Sequence, residues 1–114
     1  MKQPHTNPVQ NFSELLERRR RLGAPFLKFL DVGSLSCEVY SLAAGATDLQ
    51  QPHAEDEVYF VVQGNAKIRI GSADYPVCSG DVIFVPAAET HFFFDITRDL
   101  ELLVFFSKAS PTPN

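Results

Sequence analysis

From residue 35 onwards, short runs of apolar residues alternate with turns that are rich in glycine. Runs of branched and aromatic residues at about 8 to 12 residue spacing are typical of strands in an all-β sandwich or barrel. The two-residue period is clearest where Ala66, Ile68 and Ile70 alternate with Lys67 and Arg69. The pattern predicts strands at residues 35–42, 56–62, 66–70, 75–78, 82–85, 91–96 and 100–106, with a turn at Gly64-Asn65.

The pattern before residue 30 is different and indicates a short amphipathic helix. Asn11 with Glu14 three residues later resembles a capping box, and Gly23 marks a helix end, so a helix is predicted at 12–22. Residues 26–30 form an apolar strand or packing arm. These boundaries divide the chain into an arm with a helix at 1–24, one barrel domain at 25–108 and a tail at 109–114.

Size, charge and cysteine usage narrow the class of protein. The 114 residues suffice for one domain, and the net charge is −4 with 45% hydrophobic residues. Four arginines at 18–21 are expected to form a solvated helix face, so we expect no nucleic-acid partner. No apolar stretch is long enough for a membrane helix and no signal peptide is recognisable, so a cytoplasmic location is expected. Cys37 and Cys78 lack a CxxC spacing and are expected to be reduced, although the sequence leaves a disulfide between them open.

Residues typical of a metal site stand at two distant places in the strand series. Gln51 and His53 are two residues apart, so in an extended segment both side chains leave the same face. Glu57 begins the next apolar run, and His91 begins another run 34 residues later. If these runs face each other in a barrel, two imidazoles, one carboxylate and one amide oxygen meet. Such a set suits a divalent ion of manganese, iron, nickel or zinc, and two histidines with one carboxylate are also found in non-haem iron oxygenases.

The spacing of these residues resembles the two motifs of the cupin superfamily, and in particular its small single-domain conserved-barrel members. Glycines, the two histidines, a glutamate and a proline carry the resemblance over residues 35–106: Gly45, His53, Glu57 and Gly64, then Gly80, Pro86 and His91. The resemblance implies a double-stranded β-helix, a barrel of jelly-roll type. It also implies that His53, Glu57 and His91 bind a metal ion.

Three positions depart from the motifs that the chain resembles. Gln51 stands where the family has its first histidine, and its amide oxygen is a weaker donor than an imidazole. Ala88 replaces a glycine and Asp95 replaces an asparagine, neither at a ligand position. The resemblance therefore implies a metal site with three matching ligands and Gln51 as a fourth candidate.

Strand parity predicts which side chains face the cavity. Tyr59 and Val61 are expected to point inward with Glu57, and Phe93 and Asp95 with His91. Tyr40 is a further candidate for the pocket wall, with a half-buried surface position as the alternative. Phe60, Phe92 and Phe94 then face outward, where they pack against residues 12–30 or a second subunit. We expect a homodimer through this face, an arrangement that the family resemblance also implies.

Two functions from different classes fit these features. The first is a small-molecule enzyme whose metal has open coordination sites, with dioxygenases, isomerases and cyclases among the activities that the resemblance implies. The second is a non-catalytic module that binds or senses a small ligand. The chain has no phosphate-binding glycine loop and no GxSxG nucleophile elbow. Glu89, Asp95 and Tyr59 are the candidates for acid–base chemistry, but no catalytic residue is assigned.

Overall fold

The computed structural model describes residues 8–49 and 52–108. It contains one helix and six strands: α1 (Phe12–Leu22), β1 (Phe26–Asp31), β2 (Leu35–Leu42), β3 (Glu57–Ile70), β4 (Ala73–Cys78), β5 (Val82–Val85) and β6 (His91–Ser107). The predicted fold class is confirmed: the chain is a double-stranded β-helix with a short N-terminal helix. The predicted arm before residue 8 and the tail after residue 108 lie outside the described residues.

The helix has the ends that the sequence predicts. The side chain of Asn11 accepts a hydrogen bond from the backbone N–H of Glu14, which satisfies one of the free donors of the first turn. At the other end Gly23 adopts a left-handed conformation, with φ of 74°, and its N–H donates to the carbonyls of Arg19 and Arg20. The buried face of α1 packs on β1 and β2 through Leu15.

The strands are hydrogen-bonded in the order β1-β2-β6-β3-β4, with β5 on the free side of β3. Strands β3 and β6 are long, and each contributes to two layers. Residues 57–61 of β3 pair with residues 102–106 of β6 and with β5, whereas residues 65–70 pair with β4 and with residues 91–98 of β6. The first half of β3 and the first half of β6 therefore lie in different layers, which we call the large layer, with β1, β2 and β5, and the small layer, with β4. This arrangement explains how Glu57 and His91, at the starts of the two strands, face each other across the interior.

The predicted turn at Gly64-Asn65 is wrong. Strand β3 continues through these residues, and its pairing with β6 shifts in register at three places between Val61 and Lys67. Gly64 has φ of 116°, and a Cβ atom there would lie 2.5 Å from the carbonyl oxygen of Asp99. The glycine therefore permits a bend in a continuous strand and a close approach of two backbones, which is the other use of glycine within a strand.

Residues 91–96 and 100–106, predicted as two strands, are likewise one strand, β6. Asp95, predicted to face inward with Phe93, is exposed and lies 3.5 Å from Lys67 in an ion pair. Its backbone has φ of 51°, which breaks the two-residue alternation at this point. The prediction for Asp95 was therefore wrong because strand parity holds only while the backbone remains extended.

Apolar side chains from both layers fill the interior between them. Phe92 and Phe94 lie on the outer side of the small layer, half-buried, where the guanidinium of Arg69 stacks on both rings. The structure leaves Cys37 and Cys78 as free thiols, the first buried and the second exposed. Within residues 8–49 and 52–108, no helix has the length and apolar character needed to cross a membrane.

Candidate metal centre and adjoining cleft

Glu57 begins strand β3 with its carboxylate in the interior, where the side chain is 1% exposed. One oxygen, Oε1, lies 3.1 Å from Nε2 of His91. The other oxygen, Oε2, is buried and finds no hydrogen-bond partner in the part of the chain that the structure describes. A buried carboxylate with an unpartnered oxygen is costly, because both oxygens have lost their water.

His91 begins strand β6 and meets Glu57 from the opposite layer. Its Nδ1 lies 2.9 Å from the carbonyl oxygen of Glu89, which can only accept a hydrogen bond, so the proton of a neutral ring is on Nδ1. Its Nε2 then faces the Glu57 carboxylate and, at 3.2 Å, the hydroxyl of Tyr59. The Tyr59 hydroxyl can donate to Nε2, but the Glu57 carboxylate can only accept, so a second proton on the ring or a cation beside Nε2 would make the contact between Nε2 and Glu57 favourable.

The surroundings of His91 shift its affinity for protons. Burial alone lowers the pKa of the imidazole. Hydrogen bonds to Glu57 and to the Glu89 carbonyl, together with the charges of Glu57 and Asp48, outweigh burial and hold the pKa of His91 above its usual range. The pocket around Nε2 is therefore an electrostatic environment that favours positive charge.

His53 completes the group from the loop between β2 and β3. Its ring is half-buried, with its centroid 6.2 Å from that of His91 and 4.9 Å from that of Phe106. The structure thus brings three of the four sequence-predicted ligands to one side of the interior, and Gln51 lies outside the described residues. As they stand, no three His, Cys, Asp or Glu side chains within 8–49 and 52–108 surround a position for a metal ion.

Two tethers join the loop that carries His53 to the loop that precedes His91. The carbonyl of His53 accepts a hydrogen bond of 2.6 Å from the N–H of Ala88, and the carboxylate of Asp56 accepts one of 2.9 Å from the N–H of Ala87. Ala88 has φ of 65°. Two of the three departures from the motifs that the chain resembles, Ala88 and Asp95, are the two non-glycine residues with positive φ among the described residues. The glycine and asparagine of the motifs are the residues that tolerate this conformation best.

Asp48 is a buried residue of this region that the sequence analysis missed. Its Oδ1 accepts a hydrogen bond of 2.6 Å from the hydroxyl of Tyr40, and its Oδ2 accepts one of 2.9 Å from the N–H of Phe93. Asp48 therefore fixes the loop after β2 to the start of β6. No local pattern marks it, because both partners are distant in sequence.

A cleft of about 800 Å³ opens beside His53, between helix α1 and the inner face of β2. Of the predicted pocket residues, Tyr40 lines this cleft, and burial with its bond to Asp48 raises the pKa of its hydroxyl well above the usual range. Tyr59, Val61 and Phe93 point inward but are fully buried in the core and do not line the cleft. Glu38 also lines it. Glu38 stands two residues before Tyr40 on β2, so the sequence alone indicates that both side chains lie on the same face of the strand.

Comparison with known proteins establishes the family. The model of the Cupin_2 family, described as a cupin domain, matches residues 38–106, which is most of the barrel and includes His53, Glu57 and His91. The chain belongs to the cupin family. This cupin is 46% identical over 94 residues to the uncharacterized protein SCO3923 of Streptomyces coelicolor, covering 82% of the chain and 90% of the relative.

Solved structures with a similar fold include enzymes. The cupin barrel matches the DMSP lyase DddQ of Ruegeria pomeroyi with a TM-score of 0.69 at 22% identity, covering 77% of this chain and 48% of that one. It matches KdgF of a Halomonas species with a TM-score of 0.66 at 19% identity, covering 74% of this chain and 77% of that one. At these identities the similarity is one of fold.

Proposed function

We propose that this cupin binds a divalent metal ion through His53, Glu57 and His91, with Gln51 as a fourth donor, and acts as an enzyme on a small molecule held in the adjoining cleft. One observation carries the proposal: Glu57 is a buried carboxylate with one oxygen unpartnered among the described residues and the other facing Nε2 of His91. An ion at this position would satisfy both carboxylate oxygens and the ring nitrogen together.

The donor chemistry fits such an ion. Two imidazoles and one carboxylate suit manganese, iron, nickel or zinc. The Glu89 carbonyl orients the ring of His91 and keeps its proton on Nδ1, as outer hydrogen bonds do for metal-binding histidines. When bound, the ion would supply a Lewis acid that polarises a substrate oxygen. The cleft would admit the substrate on the side of His53, because among the described residues His53 is the one candidate ligand that lines it.

The catalytic part of the proposal is supported by the cleft and by the fold neighbours. A volume of about 800 Å³ is within the range of small-molecule sites, about 300–1,000 Å³. The neighbours named as a DMSP lyase and as KdgF indicate that this barrel accommodates catalysis, without assigning their substrates to this chain. Dioxygenase, isomerase and cyclase chemistry are the activities to be assayed first.

A second function is favoured by a different observation. Since Glu57 and His91 already contact each other, a protonated His91 and the Glu57 carboxylate can form an ion pair without a metal. Such a protein would be a non-catalytic module that binds or senses a small ligand in the cleft.

The experiment that separates these functions is elemental analysis of the purified protein and of His91→Ala. We expect close to one divalent ion per wild-type chain, most of it lost in His91→Ala because one of three strong donors is gone, and a smaller loss in Gln51→Ala. Glu55→Gln is the matched control, because this nearby acid lies outside the proposed ligand set. Equal metal content in wild type and His91→Ala would contradict the metal site and favour the ion-free module.

We also propose a homodimer through the outer face of β5. Val82 and Phe84 are 69% and 58% exposed and pair in register with Phe60 and Val58 of β3, so an apolar strip lies at the edge of the large layer. A second copy of the same strip is the occupant we expect. Sedimentation at increasing concentration should show a dimer, and Phe84→Glu should shift it to monomer. A wild type that stays monomeric throughout would contradict the interface.

A further inference from the structure

Glu38 lies on the inner face of the barrel, in a row of side chains that runs across three neighbouring strands. Pairing between strands places Glu38 opposite Val104 and Val104 opposite Tyr59, so these three side chains share one face. The neighbouring row contains Glu57. Both Val104 and Tyr59 are buried in the core, so this face is the interior, and Glu38 is directed into it from β2.

Among the described acids of the cleft wall, Glu38 differs in having no hydrogen-bond or ion-pair partner. Its side chain is half-buried and lines the cleft, yet it makes no hydrogen bond or ion pair within residues 8–49 and 52–108. Glu101 is hydrogen-bonded to the hydroxyl of Ser41, and Asp99 accepts a hydrogen bond from the N–H of Ala44. The carboxylate of Glu38 is therefore the one described acid of the cleft wall that is open to a ligand.

Charged groups on several neighbouring elements act on Glu38. Burial raises the pKa of its carboxyl group, the charges of Lys28 on β1 and of His53 lower it, and the charge of Glu57 on β3 raises it, with a net upward shift. Glu38 and His53 both line the cleft, so the carboxylate faces the same space as one of the proposed ligands. Glu38 lies on the inner face, borders the cleft and has no hydrogen-bond or ion-pair partner among the described residues. A carboxylate in such a position can exchange protons with a bound molecule.

We propose that Glu38 is the acid–base residue of this cupin, which removes a proton from a weakly acidic small molecule held at the ion beside His53 and returns it later. This inference rests on the proposed metal-dependent function. In the step, an O–H or activated C–H bond of the ligand breaks, its electron pair stays on the ligand, and the proton moves to a carboxylate oxygen of Glu38. The substrate class is thus a small molecule with such a proton next to a metal-binding oxygen.

The test counts protons and needs no knowledge of the substrate. Acetohydroxamate binds metal ions through its oxygens and loses its O–H proton as it binds. Calorimetric titration of the zinc-loaded, full-length protein in two buffers of different ionisation enthalpy gives the number of protons released to buffer. At about pH 7.5, the wild type should release close to none because Glu38 takes up the proton. Glu38→Gln should release about one per ligand.

Glu101→Gln is the matched control, because it removes a carboxylate of the same cleft that is already hydrogen-bonded, and its proton count should equal that of the wild type. Equal counts in wild type and Glu38→Gln would overturn the role of Glu38 while leaving the metal centre intact. Full proton release by the wild type would overturn it as well, even if Glu38→Gln failed to fold. Failure of the wild type to retain zinc, measured first by elemental analysis, would overturn the proposed function and this inference together.

Discussion

The two halves of strand β3 both send buried side chains into the interior, but these side chains differ in chemistry. The first half, residues 57–61, sends Glu57, Tyr59 and Val61 into the interior, and we call it the site end. The second half, residues 65–70, sends Ala66 and Ile68 inward, and we call it the closed end; its last residue, Ile70, borders the site because it pairs with His91 of β6. The polar groups of the interior are therefore concentrated where two loops approach each other, and the remainder of the core is apolar.

The difference shows how one strand contributes both to the stability of the fold and to the candidate metal centre. Burial of Ile68 removes apolar surface from water and stabilises the fold by roughly 25 cal/mol per Å². Burial of Glu57 and His91 is not comparable, since the desolvation of a buried charged pair can exceed its mutual attraction. We infer that the closed end holds the barrel together and that the site end is retained for binding. The predictions below test this division of roles.

The largest effect should come from the closed end. Ile68→Ala should lower the free energy of unfolding by about 2–5 kcal/mol, because it leaves a cavity in a fully buried position. Chemical denaturation measures the loss, and Ile68→Val should give a much smaller one. Metal content per folded chain should stay unchanged. A loss below about 1 kcal/mol would mean that the closed end does not carry the stability assigned to it.

The second effect concerns pH and the site end of the metal-free protein. The pKa of His91 is raised in the folded state relative to about 6.5 in the unfolded chain, so the folded state binds the proton more tightly. This contribution to stability is fully present below about pH 6.5 and is lost as pH rises through the folded pKa. The thermal midpoint of the metal-free protein should therefore fall as the pH is raised above neutrality.

Glu57→Gln provides the control for this pH dependence. The amide keeps the shape of the side chain but removes the negative charge, so the pKa of His91 should return toward its usual value and the fall above neutrality should flatten. An unchanged pH profile in Glu57→Gln would mean that the pair is not the source of the effect.

The smallest effect should come from the loop that supports the site end. Ala88→Gly should raise the free energy of unfolding by about 0.5–1 kcal/mol, because glycine adopts φ of 65° without the strain that a Cβ atom introduces. Ala87→Gly, next to it but without positive φ, should bring no gain. Denaturation midpoints of the two variants decide the matter, and a destabilised Ala88→Gly would contradict the assigned strain.

The sequence predicted features whose causes are local. Asn11 and Gly23 define the ends of α1 through their own backbone contacts, and the parity of Tyr59 and Val61 with Glu57 follows from the pleat of a single strand. The spacing of His53, Glu57 and His91 led to the family, which the family-model match confirms.

The features that the sequence did not predict depend on contacts between distant segments. Asp48 can be buried because the hydroxyl of Tyr40 and the backbone N–H of Phe93 donate hydrogen bonds to it. Whether Glu38 has a partner likewise depends on residues that are distant in the sequence. Gly64 followed by Asn65 has the composition of a turn. It became a bend because β6 approaches it closely, and no residue near Gly64 in the sequence encodes that approach.

The hydrogen bonds that join His53 to Ala88 and Asp56 to Ala87 have a consequence for access. Because they tie the loop that carries His53 to the loop that precedes His91, parting these two loops to admit a molecule would break both hydrogen bonds. Entry then depends on the opposite wall, where the end of α1 borders the cleft. A molecule that enters beside the end of α1 would leave both of these hydrogen bonds intact.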